Sequence, residues 1–384
     1  MPPLPVVLPW PAVRILLDYR PALRERTGVG EYAHELAAAL LRVSASGDTL
    51  TLFSSSWKDR LPSDRLPGAR VVDARVPVAV LNAAWHRLGW PPVELFAGDV
   101  DVVHSLHPLL MPARHAAQVI TIHDLDFLDH PERTRAEIRR DYGALAAVHA
   151  QRAAGVIAVS RFTAGEVERR LGVPRERITV CSEGAPPWSP RAEYASHGPI
   201  LFFGTLEPRK NVGTLLRAYA TLLEIMPDAP PLWLAGGAGE AAAPWLRAIE
   251  APPLAGHVTH LGYIAADRRY DLYIQASMLV LPSYLEGFGL PALEAMTAGV
   301  PVIVSTGGAL PEVVGDAGPA IAPEDATGFA DAMRRYLQDP AAVRSAVERG
   351  LVRARQYSWD ATARRVLEAY VDAMGRKGGP AGQK

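Results

Sequence analysis

Cysteine is almost absent from the 384 residues, with Cys181 alone, which excludes an internal disulfide and any site built from several thiolates. A reducing compartment follows, and the cytoplasm is the expected location. Lysine is nearly as scarce: four (Lys58, Lys210, Lys377, Lys384) stand against 36 arginines, so Lys210 is the only lysine between residues 59 and 376. Neither charge is in excess, since 40 basic against 41 acidic residues leave a net −1, and no overall field recruits nucleic acid. No apolar run approaches the roughly 18 residues a membrane helix needs. Residues 1–13 are apolar and proline-rich but lack the charged region of a signal peptide, and they read as a short leader.

What is present is ordinary for a globular protein, 49% hydrophobic and 21% charged residues, at a length that argues for two domains. Short apolar runs alternate with longer helical patterns, the signature of α/β folds with parallel sheets. The expected strands are 13–18, 49–53, 101–104, 118–122, 155–159 and 177–181, with helices over 31–43, 133–153 and 161–171. The proline-rich segment 182–199 has no apolar periodicity and reads as a linker. The pattern then restarts with strands near 200–203, 231–235, 258–261, 278–282 and 301–304, a second Rossmann-like unit. The expected division is a first domain over 1–187, a second over 188–357, an amphipathic helix over 358–374 and a disordered tail over 375–384.

Open parallel sheets bind ligands beyond the carboxyl ends of their strands. The residues there are polar and glycine-rich: Gly28-Val29-Gly30, His123-Asp124, the run from Gly204 to Lys210, Gly236-Gly237, Gly262-Tyr263, Glu286 to Gly289, and Thr306-Gly307-Gly308. Seven loops thus point to one interdomain cleft. Gly28-Val29-Gly30 matches a loose dinucleotide fingerprint, but nine residues separate it from Asp18, too many for a tight turn off the strand. It reads either as a flexible loop whose backbone approaches a ligand or as a plain helix entry. Arg209 and Lys210 precede a helix starting near Asn211, where N–H groups also attract anions. A diphosphate fits there; the alternative is an exposed pair on a helix cap. Glu286 and Glu294 do not share a helix, because Pro291 suits a first helical position and Gly299 and Pro301 end the segment. Each carboxylate can accept two hydroxyl donors along an extended ligand, although Glu294 taken alone reads equally as a solvated helix residue.

The run Glu286-Gly287-Phe288-Gly289-Leu290-Pro291-Ala292-Leu293-Glu294, with Gly204-Thr205-Leu206-Glu207-Pro208-Arg209-Lys210-Asn211 upstream, resembles the retaining glycosyltransferases of family 4. Thr121-Ile122-His123-Asp124 resembles their sugar-contacting segment, residues 18–30 their acceptor-side glycine loop, and Tyr357-Ser358-Trp359 the junction after which the last helix crosses back to the first domain. The resemblance implies a GT-B fold, two Rossmann-like doubly wound parallel-sheet domains facing a cleft. It implies that Glu294 holds the ribose, Glu286 the donor hexose, Arg209 and Lys210 the diphosphate, and His123 the transferred sugar. Backbone N–H groups of Phe288 and Gly289, with Gly204 and Leu290 beside them, would approach sugar or phosphate, Ile264 would line the base pocket, and Gly28, Val29 and Gly30 would face the acceptor. A core histidine is the rival reading of His123. Two positions depart from the family pattern: Thr205 stands where many members carry Arg, and Ser182-Glu183-Gly184 where Pro-Asn-Gly is usual.

The resemblance to bacterial mannosyltransferases makes GDP-mannose the first expected donor and a saccharide or lipid-linked saccharide the acceptor, in polysaccharide or glycolipid assembly. Retention is implied by the family alone. No cofactor is expected, and no metal, because Arg209, Lys210 and a helix N-terminus can neutralise the leaving group instead. The rivals are a sugar-nucleotide epimerase of the same architecture, a non-enzymatic sugar-binding protein, which would need a signal peptide, and an NAD dehydrogenase. The last would need an acidic residue after the second strand, where Ser54-Ser55-Ser56 stands. Pyridoxal chemistry would need Lys210, which is better used on phosphate. Arg133, Arg135, Arg139 and Arg140 suit anionic head groups at the inner face of the cytoplasmic membrane, but Glu132, Glu137 and Asp141 dilute them toward a solvated face.

Overall fold

The structure, a computed structural model, describes residues 12–23, 26–45, 47–133 and 136–377, apart from the side chains of 133–141 and 377. The expected leader up to residue 11, the arginine-rich helical face and the tail over 378–384 lie outside the described residues.

Two parallel sheets follow one another along the chain. The first contains β1 (Arg14–Asp18), β2 (Thr49–Ser54), β3 (Arg70–Asp73), β4 (Val102–Ser105), β5 (Ala117–Ile122), β6 (Gly155–Ala158) and β7 (Ile178–Val180), in the order β3-β2-β1-β4-β5-β6-β7. The second contains β8 (Ile200–Phe203), β9 (Leu232–Ala235), β10 (Val258–Gly262), β11 (Met278–Leu281), β12 (Val302–Ser305) and β13 (Ala320–Ile321), in the order β10-β9-β8-β11-β12-β13. Central strands such as β11 are buried along their whole length, as strands covered by helices on both faces must be. In both sheets the order reverses at the first strand, so crevices open between β1 and β4 and between β8 and β11. β3 and β13 escape the sequence pattern. They are edge strands of four and two residues with no fully buried position, too short and too wet to carry a hydrophobic period.

The glycines Gly28 and Gly30 correct the expected loop, because they form the first turn of helix Gly28–Val43. Thr27 is extended ahead of it, and its carbonyl accepts the Glu31 N–H at 2.9 Å. Glycine costs a helix about 1 kcal/mol per residue, but burial of Tyr32, Ala33 and Leu36 on the inner face outweighs that.

Helix Trp359–Lys377, three residues longer than the sequence pattern marks, packs on β5, β6 and helix Gly28–Val43. Its apolar stripe of Trp359, Ala363, Val366, Tyr370 and Ala373 is buried. Tyr370 Oη lies 2.7 Å from His104 Nδ1, whose Nε2 lies 2.7 Å from Thr121 Oγ1, so the polar groups under the helix are paired. The two connections between the sheets touch: Ala185 and Ser358 form a parallel bridge, and Thr362 Oγ1 donates to Ser182 O at 2.6 Å. No described helix is long and apolar enough to cross a membrane.

At Gly184 an added Cβ would stand 2.2 Å from the Trp359 nitrogen and 2.5 Å from its ring. Gly184→Ala is therefore expected to destabilise the protein by about 1–3 kcal/mol through overpacking. The urea midpoint measures it, and an unchanged midpoint would mean that the junction yields freely.

Candidate active site

Three glycine loops interlock at the carboxyl end of the second sheet. Gly204 N donates to Ala235 O at 2.8 Å and Gly236 N to Gly262 O at 2.8 Å, while a Cβ on Gly236 would meet Gly204 O at 2.1 Å. After Gly204 the chain makes a single turn over Pro208–Lys210, then places Asn211 in the left-handed region with φ 55°. Asn211 is held there because its amide donates to Pro282 O (3.0 Å) and Pro323 O (2.7 Å) and its Oδ1 accepts from Thr214 (2.8 Å). That turn aims Arg209 and Lys210 at the β8/β11 crevice.

Both cations meet Glu286 there, a carboxylate only 5% exposed. Lys210 Nζ lies 2.7 and 2.9 Å from its two oxygens, Ser283 Oγ donates at 2.6 Å, and Arg209 Nη1 stands at 3.3 Å. Arg209 also donates to Leu285 O (2.8 Å) and Glu207 Oε1 (3.0 Å), and sits 3.8 Å from Asp124 Oδ2 of the first domain. Burial pushes the Glu286 carboxyl upward, but the Lys210 and Arg209 charges more than offset it and bring it down to about 2. Its contribution to stability is thus present above its ordinary 4.5 and fades as pH falls toward about 2. The Arg209 guanidinium, disfavoured by burial, is held further in its charged form by Asp124, Glu286 and Glu207. With Arg209 and Lys210 side chains 19% and 12% exposed, the pair is not an exposed helix cap.

His123 enters from the carboxyl end of β5. A Cβ on Gly287 would fall 1.7 Å from His123 O, and Thr163 Oγ1 lies within hydrogen-bond range of both His123 O (3.1 Å) and Gly287 O (3.2 Å). The domains therefore meet backbone to backbone beside Glu286. They meet again where Glu312 accepts the Arg161 and Phe162 N–H groups, both at 3.0 Å, at the start of helix Arg161–Leu171. The His123 ring stands edge-on to Tyr32 at 4.8 Å, with Nδ1 3.7 Å from Glu183 Oε1 and Nε2 buried without a protein partner among the described residues.

Glu294 lies in helix Leu290–Thr297 and is as buried as Glu286, which disposes of the solvated reading. Tyr273 donates to it at 2.8 Å and Arg269 at 3.3 Å. Arg269 also reaches Glu31 at 3.3 Å and the Arg26 carbonyl, tying Glu294 to the first helix of the other domain. Burial raises the Glu294 carboxyl, with Arg269 and Tyr273 opposing. Among the remaining candidates, Gly289 (φ 109°) precedes that helix, Leu290 opens it, and Phe288 is buried edge-on against Tyr357 at 5.6 Å. Ile264 follows β10 and packs on the second core. Gly28 and Val29 form an exposed helix start, with Gly30 buried behind them. The structure joins Glu286, Arg209 and Lys210 in one cluster and sets His123 opposite.

Two family models match in succession, "Glycosyltransferase Family 4" over residues 26–187 and "Glycosyl transferases group 1" over 198–339. The chain is 31% identical over 379 residues to the O-antigen chain mannosyltransferase B of Escherichia coli, spanning 93% of this chain and 99% of that one. The chain belongs to glycosyltransferase family 4. It is also 30% identical over 294 residues to the glycogen synthase of Mycobacterium tuberculosis, covering 71% and 69% of the two chains. Among solved structures, sucrose-phosphate synthase from Thermosynechococcus elongatus superposes with a TM-score of 0.75 at 21% identity over 94% of this chain and 99% of that one. WaaG, a glycosyltransferase involved in lipopolysaccharide biosynthesis, superposes with 0.70 at 16% identity over 96% and 100%. The architecture of this glycosyltransferase is GT-B.

Sequence reasoning missed Ser283, Arg269, Glu31 and Glu312, and passed over Glu183. Ser283 lies three residues before Glu286 and was open to notice; the others acquire meaning only from partners on distant segments.

Gly287 gives a direct test of closure. Gly287→Ala places a methyl against His123 O and is expected to lower the family's transfer activity about 100-fold by displacing the domains, with free-nucleotide affinity and circular dichroism unchanged. Full activity would mean that this contact is not part of the working state.

Proposed function

We propose that this glycosyltransferase moves a hexose from a nucleoside diphosphate sugar to a hydroxyl acceptor in polysaccharide or glycolipid assembly, with retention at the anomeric carbon and without a metal ion. GDP-mannose is the donor we favour, because the O-antigen mannosyltransferase B matches end to end and the serotype-specific mannosyltransferase WbdA of Escherichia coli is 28% identical over 286 residues. The observation that carries the reading is the buried Glu286–Lys210–Arg209 cluster at the β8/β11 crevice.

Arg209 and Lys210 bring two cations to the crevice, where Glu286, Glu207 and Asp124 hold them in place to meet a diphosphate. When the bond from the anomeric carbon to the phosphate oxygen breaks, Arg209 and Lys210 stabilise the charge that develops on the leaving group, in a site preorganised for it. Glu286 accepts hydroxyls of the hexose and Glu294 those of the ribose. The backbone after β10, around Ile264, lines the base, and N–H groups of Phe288 and Gly289, flanked by Gly204 and Leu290, approach sugar or phosphate. His123 contacts the transferred sugar from the opposite domain, and the first turn at Gly28, Val29 and Gly30 faces the acceptor. The acceptor oxygen then bonds to the anomeric carbon on the face the phosphate leaves, and its proton passes to the departing phosphate oxygen. No protein nucleophile is needed.

Two measurements test this. Calorimetry should find that Glu294→Gln weakens GDP and GDP-sugar alike, because both carry the ribose, whereas Glu286→Gln spares free GDP and lowers turnover. Equal loss of GDP affinity in both variants would contradict the division of roles. Product NMR with an α-linked donor in excess EDTA should show an α-linked product formed at the untreated rate. A β-linkage would overturn retention, and activity lost to EDTA and restored by Mg²⁺ would overturn metal independence.

A further inference from the structure

One buried carboxylate in the cleft has no part in the transfer as described. Glu183 is 5% exposed and belongs to the connection between β7 and β8. Its backbone is fixed on both sides by helix Trp359–Lys377: Thr362 Oγ1 holds Ser182 O at 2.6 Å, and Gly184 presses on Trp359 with no space for a side chain. A carboxylate anchored in this way sits where the fold puts it. Its Oε1 faces Nδ1 of His123 at 3.7 Å. The other groups acting on it are Glu286 and Lys210, with the Tyr32 phenol within its field. Lys210 is already bonded to Glu286 through both carboxylate oxygens, which leaves the imidazole to answer Glu183 among the described residues.

The His123 ring has little freedom. Tyr32 holds it edge-on at 88°, and its own carbonyl is locked against Gly287 and Thr163. The proton of a neutral imidazole resides on whichever nitrogen faces an acceptor, and the other nitrogen keeps its lone pair. Burial raises the Glu183 carboxyl, with His123 the chief opposing group; when it is ionised it accepts at Nδ1 and the lone pair falls on Nε2, a buried atom with no protein partner among the described residues. We propose that Glu183 is a positioning residue that fixes His123 in the Nδ1–H form, so that Nε2 accepts a hydrogen bond from a hydroxyl of the transferred sugar. The proposal rests on the reading above that His123 meets that sugar. It also gives a role to the Glu that departs from the family's usual Asn at position 183.

The test joins spectroscopy to a double-mutant cycle. In ¹⁵N-histidine-labelled wild-type protein, at a pH where the ring is neutral, the His123 signals, assigned by their loss in His123→Ala, should show a protonated Nδ1 and an unprotonated Nε2. In Glu183→Leu the Nε2–H form should gain population and turnover should fall about tenfold, the worth of one hydrogen bond, with GDP affinity retained. In the His123→Ala background, Glu183→Leu should cost nothing more. A proton on Nε2 in the wild type would overturn the proposal, and so would an equal cost of Glu183→Leu in both backgrounds, which would mark a hinge role. Full turnover in His123→Ala would instead overturn the sugar contact itself. The wild-type spectrum decides the tautomer even where Glu183→Leu does not fold.

Discussion

A carboxylate buried at the end of a parallel sheet stays firmly ionised only where cations and hydrogen-bond donors meet it, and Glu286 is such a carboxylate. Much of the local architecture serves that requirement. Lys210 and Arg209 reach it because a single turn and a left-handed Asn211 bring them round, and Asn211 holds that conformation through carbonyls on two other loops. Ser283 supplies a hydroxyl donor. Glycines supply the closeness, since Gly308 and Gly287 each bring backbone so near their neighbours that no methyl fits. The site is thus a charge-pairing problem solved with backbone geometry.

A second system of buried charge runs alongside it. Glu294, Arg269, Glu31 and the Arg26 carbonyl form a chain from the second domain to the first. The ends of an extended ligand would therefore meet different electrostatic surroundings. Glu286 is held firmly ionised by two cations, while Glu294 shares one guanidinium with another acid and is raised by burial. Carboxylates eight positions apart in sequence thus differ in character because their neighbours come from different segments.

Sequence reasoning reached the strands that carry the cores, because runs such as Met278–Leu281 are apolar on both faces. It failed at Arg70–Asp73 and Ala320–Ile321, where an edge strand needs no continuous apolar run. It misread Gly28 and Gly30 as a loop because glycine is a poor helix former, while the burial of Tyr32 and Leu36 that decides the matter is a tertiary fact. At the site, Glu286 and Lys210 were legible from the glycine loops and the scarcity of lysine. Arg269 was not: within helix Arg269–Gln275 it resembles any other arginine, and only the fold shows it between two acids.

The parallel bridge between Ala185 and Ser358 bears on how the two halves can move. Two polypeptide crossings spaced far apart would brace a pair of domains like the two sides of a frame. Here they run side by side and form one narrow junction. A single narrow junction restrains the relative orientation of two domains less than two spaced ones would, so the register of the halves depends on the contacts across the cleft: Gly287 against the His123 carbonyl, Glu312 on the Arg161 and Phe162 N–H groups, and Arg269 on Glu31.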